Sequence, residues 1–145
     1  MPALNIAQAS TIIDAALQKG RELKFAPLAV AVLDAGGHVI VMKREDRCSY
    51  LRTEIARGKA WGALGVGFGS RAIAEHANKE SGPFFGALAA MSGGLMVPSP
   101  GGVLIRDASG ELIGAVGISG DKGDSDEACA VQAIELLGLT AVTGH

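Results

Sequence analysis

The segment Leu28-Ala-Val-Ala-Val-Leu33-Asp-Ala-Gly-Gly37-His38-Val-Ile-Val-Met-Lys-Arg44 decides the fold. Residues 28–33 are apolar throughout and too few for a buried helix, so they predict a central strand covered on both faces. Asp34-Ala-Gly-Gly37 then supplies a turn, because glycine tolerates the backbone angles that reverse a chain tightly. After it, His38, Ile40, Met42 and Arg44 alternate with Val39, Val41 and Lys43, the period of a strand returning beside the first. The unit is a β-hairpin.

Outward from the hairpin the signals change period. Residues 6–23 place Ile6, Ala9, Ile13, Ala16, Leu17 and Leu23 at helical spacing behind a capping Asn5. Residues 50–65 gather Leu51, Ile55, Ala56, Lys59, Ala60, Ala63 and Leu64 on one side, a second helix able to cross the hairpin. A weaker helical pattern covers 70–79. Gly82-Pro83 then predicts a break, and Phe84-Phe85 a short apolar element ending near Ser92-Gly93-Gly94. Leu95-Met96-Val97 reads as a short strand, and the stretch from Gly102 to Ile118 as strand, turn and strand around Asp107-Ala-Ser-Gly110. The final helix opens at Asp124, three residues before Glu127 in capping-box spacing, and stops at Gly138; residues after Leu139 are expected to fray. The order α-β-β-α-α-β-β-β-α predicts an α+β fold, a five-stranded antiparallel sheet covered by helices, as one domain over residues 1–145.

Composition narrows the function classes. Of the 145 residues 48% are apolar but only 4% aromatic, so the core must be built from Ala, Val, Leu and Ile, which leaves room for a pocket. A formal charge of −2, from 13 basic and 15 acidic residues, gives no field to attract a polyanion and argues against nucleic acid. Apolar runs are interrupted before the ~20 residues needed to span a bilayer. Residues 1–5 show no secretory pattern, so no membrane partner and a cytoplasmic address are expected. Cys48 and Cys129 lack metal-ligand spacing and read as free thiols.

Several pieces together resemble the GlcG/HbpS-like family, which includes the C-terminal domain of PduO-type proteins. They are Ala29-Val-Ala-Val-Leu-Asp-Ala-Gly-Gly-His38 with Arg44 and Asp46, Ile55-Ala-Arg-Gly-Lys-Ala60, Pro100-Gly-Gly102, Ile113-Gly-Ala-Val-Gly-Ile-Ser-Gly120 and Asp126-Glu-Ala-Cys-Ala130. The resemblance implies a profilin-like fold with a five-stranded antiparallel sheet, assembly into dimers, tetramers or octamers, and haem as a cofactor of several members. Some relatives accompany glycolate, propanediol or corrinoid metabolism. Relatives commonly carry a small hydroxyl residue where this chain has Arg52, a hydroxyl at Gly62 and proline at Leu104, so the ligand here is expected to differ.

Candidate site residues fall in three groups. His38, next to a Gly-Gly turn, could ligate a haem iron or carry a proton near neutral pH, or simply be solvated. His76 and Glu80, four apart on a helix, could hold a surface metal, although an exposed helix has the same pattern. Arg44, Arg52, Glu54 and Lys59 converge where strand, loop and helix meet. There Arg44 or Arg52 would bind an anion and Lys59 or Glu54 move protons, against the alternative of a plain ion-pair network with Lys59 snorkelling to the rim.

The glycines of residues 114–120 do not join a strand directly to a helix, so they are no dinucleotide loop. Gly114 and Gly117 instead admit the first or last helix, or a flat ligand, while Ser119 and Gly120 edge a pocket. Gly101 and Gly102 are near that pocket by resemblance. Trp61 and Phe84-Phe85 are core or subunit-contact candidates first and ligand-stacking groups second. The leading expectation is a cytoplasmic homo-oligomer that binds haem or a similar flat metabolite. The alternatives are an isomerase, hydratase or lyase of small carboxylates and a structural accessory protein.

Overall fold

The computed structural model describes residues 3–144. Helix α1 (Ile6–Glu22) starts on a capping box: Asn5 Oδ1 accepts from the Gln8 backbone N–H at 2.8 Å, and Gln8 Oε1 accepts from the Asn5 N–H at 3.1 Å. The hairpin follows as β1 (Ala29–Asp34) and β2 (Val39–Arg44), then α2 (Leu51–Val66), α3 (Ser70–Ala77) and α4 (Gly82–Met91). Strands β3 (Gly102–Arg106) and β4 (Leu112–Ser119), helix α5 (Gly123–Leu136) and β5 (Thr140–Val142) complete the order. The sheet runs β2-β1-β4-β3-β5 with every pairing antiparallel, so the two hairpins meet through β1 and β4. In that seam Val32 is opposite Val116 and Ala29 opposite Ser119.

Strand alternation sorts the side chains to two faces. Val30, Val32, Val103, Ile105, Val116 and Ile118 pack against Ile12 and Ile13 of α1 and Ala130 and Ile134 of α5. Removing each such side chain from water contributes about 1.5–3 kcal/mol. The opposite face is small at one end, with Ala29, Ala31, Ala115, Gly117 and Gly102, and larger at Leu33 and Leu104, and it takes α2. A Cβ on Gly117 would lie 1.8 Å from the Ala56 carbonyl oxygen, and one on Gly102 2.3 Å from that of Lys59. The α2 backbone therefore rests on strand backbone. The helix that uses Gly117 is α2, not the first or last helix that the sequence suggests.

Four expectations need correction. Leu95-Met96-Val97 is not a strand but an irregular segment lying along α2, with the Val97 N–H donating to Gly58 O at 3.3 Å. The fifth strand is β5, from residues expected to fray: Leu104 pairs with Val142 and Ile105 with Ala141. Gly82-Pro83 does not break a helix but begins one, since proline in the first turn needs no N–H partner and has the right φ already set. The middle thus holds three helices, not two. Helix α5 starts at Gly123 with Lys122 at its cap position, and Asp124 turns to Arg71 instead of capping. Among the described residues no helix is long and apolar enough to cross a membrane.

Candidate functional site

The end of the sheet where β1 begins and β4 ends collects most of the expected polar residues. Lys59, on the face of α2 pressed to the sheet, is only 3% exposed, so it does not snorkel to the rim. Its Nζ passes Gly101 and donates to Ile118 O at 2.8 Å and to Asp126 Oδ2 at 3.1 Å. Asp126 Oδ1 in turn accepts from the Asp121 N–H at 3.0 Å. Burial pulls the Lys59 ammonium below the ordinary lysine range and pushes the Asp126 carboxyl above the ordinary aspartate range, each partly offset by the other's charge. Gly101, at φ +125°, leaves the space through which the lysine runs.

Arg52 stands two turns earlier on the same side of α2, half-buried, and its Nη1 donates to Ser119 Oγ at 3.2 Å. Ser119 is fully buried. Arg44 Nη1 donates to Cys48 O at 2.7 Å. The nearby carboxylate of Glu45 is already engaged, accepting from the Leu28 N–H at 2.7 Å and pairing with Arg21 at 3.0 Å. Burial pushes the Cys48 thiol up, against the pull of Arg52 and Arg44, so it stays protonated at neutral pH. Arg44 and Glu45 also line a shallow 400 Å³ hollow with Arg21, Pro27 and Asp46. Gly120, at φ +151°, packs against Pro27 O and Leu28.

The remaining candidates lie elsewhere. Glu54 is exposed and accepts from Thr53 Oγ1 at 2.6 Å, a bond that holds its carboxyl below the usual range, so it faces away from Lys59. His38 sits at the far end of β1, about 17 Å along the strand from Ala29 at ~3.4 Å per residue, with its ring 82% exposed beside Asp34. His76 stacks on Phe85 with ring centroids 5.4 Å apart, and Glu80 is exposed in the turn before α4. Among the described residues no group of three metal-ligating side chains is assembled.

A second concavity is one the sequence reading missed. Between the C-terminal half of α2 and α4, a 350 Å³ cleft is lined by Trp61, Gly62, Val66, Phe84, Leu88, Met91 and Met96 with Gly65 and Ser92. Phe84 and Met91 line it while remaining 62% and 78% exposed. Its signal in the sequence is the run from Ser81 to Ile105, which contains no charged residue. Trp61 links the cleft to the hairpin turn: a Cβ on Gly37 would lie 3.2 Å from Trp61 Cδ1.

The chain aligns in structure with PduOC from its complex with heme, at TM-score 0.84 and 26% identity over 95% of this chain and 97% of the other. Protein ORFY of Klebsiella pneumoniae superposes at 0.84 with 22% identity, over 95% and 92%. HbpS superposes at 0.79 with 23% identity, over 95% and 92%; these two likenesses concern the fold. No curated protein gives a significant sequence match. The family model for the haem degrading protein HbpS-like matches residues 4–135, and the chain belongs to that family.

Proposed function

We propose that this chain is a haem-binding protein, or a binder of a related flat metabolite, that acts as a cytoplasmic homo-oligomer and takes its ligand in the α2–α4 cleft. The cleft itself carries the reading. Its 350 Å³ falls within the ~300–1,000 Å³ of small-molecule sites, and its lining is apolar apart from Ser92. The open side lets a ligand larger than the enclosed volume protrude. Family membership and the likeness to PduOC, solved with heme, support the choice of ligand.

The residues present fit such a group. The Trp61 and Phe84 rings offer flat apolar surface, and the glycines Gly62 and Gly65 let it approach the α2 backbone. Met91 and Met96 offer polarizable sulfur. Two histidines lie within a residue of cleft neighbours, His38 following Gly37, which packs beside Trp61, and His76 stacked on Phe85 next to Phe84. His38 is the proposed iron ligand, since its exposed ring is free to swing. When bound, haem supplies an iron centre for one-electron and dioxygen chemistry. The protein's part is to bind, orient and exclude water.

Titrating purified protein with hemin tests this. A saturable Soret shift is expected, weakened at least tenfold in Trp61→Ala and altered in position in His38→Ala. No saturable shift in the parent, or unchanged binding in Trp61→Ala, overturns the assignment. Native mass spectrometry of fresh protein reports subunit number and any retained ligand together, and a monomer removes the oligomer. A catalytic pairing of Glu54 with Lys59 gains no support from their placement.

A further inference from the structure

We propose that Arg52 and Ser119 form a receptor for a small free carboxylate at the sheet end opposite the His38 turn, separate from the α2–α4 cleft. The argument starts from saturation. The other buried or half-buried cations near this end of the sheet are satisfied: Lys59 by Asp126 and Ile118 O, and Arg71 by Asp124 and Glu127. Arg21 is satisfied by Glu45 and two carbonyls. Arg52 differs. Among the described residues its guanidinium makes one hydrogen bond, to a neutral hydroxyl, and no carboxylate lies within ion-pair distance. Most of its five N–H donors are left for another partner.

The surroundings favour an anion there. Between Lys43 and Lys59 the chain carries six basic and three acidic residues, within a protein of net charge −2. Of those three acids, Glu45 is bound to Arg21 and the Leu28 N–H, Glu54 accepts from Thr53, and Asp46 is exposed; among the described residues none pairs with Arg52. The Lys59 ammonium repels Arg52 through the protein interior, and a bound anion relieves that repulsion. Ser119 completes the receptor. Its Oγ is fully buried and accepts from Arg52, and its hydroxyl hydrogen has no acceptor among the described residues.

The geometry selects the chemical class. One planar guanidinium fork beside one hydroxyl donor matches the two coplanar oxygens and single charge of a carboxylate. A phosphate dianion needs more positive charge than one unpaired arginine supplies. The substrate or effector is therefore a small monocarboxylate.

Isothermal titration with acetate, pyruvate and lactate at constant ionic strength, with inorganic phosphate as the competing anion, tests the proposal. Saturable carboxylate binding is expected, with phosphate at least tenfold weaker. Arg52→Ala and Arg52→Lys should each lose tenfold or more, the lysine because it keeps the charge but not the fork, and Ser119→Ala should lose severalfold. Arg57→Ala, an exposed arginine further along α2, should bind as the parent does. Hemin affinity should be unchanged in Arg52→Lys. Full binding by Arg52→Lys, phosphate binding as tight as carboxylate, or no binding of any carboxylate by the parent overturns the site. A parallel loss of hemin binding in Arg52→Lys overturns its separateness while leaving haem binding intact. Far-UV circular dichroism and melting temperature establish that each variant is folded, and Arg52→Gln serves where Arg52→Ala is not.

Discussion

Along α2, the turns around Ala56 and Lys59 rest on strand backbone, whereas those around Gly62 and Val66 meet the Met96 side chain and an open cleft. The first half is a seat with no slack: helix carbonyls meet Gly117 and Gly102 where even a methyl group would overlap. The second half meets Met96, whose side chain can swing aside, and Phe84 and Met91, which are largely exposed. Rigid placement is what a polar receptor needs, because hydrogen bonds fail beyond a few tenths of an ångström. Adaptable packing is what a large apolar ligand needs. One helix therefore serves two kinds of recognition.

Substitutions can break this contrast. The largest effect is expected for Lys59→Met, which leaves Asp126 buried without its counter-ion and should cost about 3–5 kcal/mol of unfolding free energy in urea titration. Lys59→Met with Asp126→Leu should recover much of the loss, and no recovery would mean that the pair does more than balance charge. Next is Gly117→Ala, where the overlap is with backbone and α2 must lift; about 3 kcal/mol is expected. Gly62→Ala is the matched test in the other half. The added methyl meets only Met96 Cγ at 2.6 Å, and alanine favours helix, so the net change should stay under about 1 kcal/mol. Equal costs at Gly117 and Gly62 would erase the distinction.

The smallest expected effect is on pH dependence. Asp121 accepts from the Ala26 and Lys122 N–H groups at 2.8 and 2.7 Å, and those bonds, the Ala26 bond foremost, hold its carboxyl below the usual range. A lowered folded-state value means that its stabilisation is complete above about pH 4 and lost as pH falls through that lowered value. Asp121→Asn should therefore narrow the difference between urea midpoints at about pH 6 and about pH 3. Asp126, held high mainly by burial and slightly by the Asp121 charge, acts in the opposite direction, and Asp121→Asn removes only that smaller contribution.

The two hairpins and the first helix were legible in the sequence because their signals are local: alternation in 28–44, glycine turns and the Asn5 cap. What escaped reading depended on partners far along the chain. Leu139 to Val142 shows no strand signal until the β3 edge is there to pair with it. Pro83 reads as a breaker or a starter depending on where the helix begins. Asp124 has capping-box spacing, yet an arginine from α3 takes its carboxylate. At the polar end, Arg44, Arg52, Lys59 and Ser119 were legible as a group, but the Asp126 that neutralises Lys59 was not. His38 was read apart from them, and the strand it follows carries it to the far end. The cleft escaped because an uncharged run looks the same whether it lines a cavity or fills a core.

The Lys59–Asp126 bond has one more consequence. Helix α2 covers one side of the sheet and α5 the other, and this contact, with the Arg71 clamp on Glu127 beside it, reaches around the strand ends to join them. The two outer layers are riveted at one corner. At that corner α2 cannot shift without either carrying α5 along or breaking the bond.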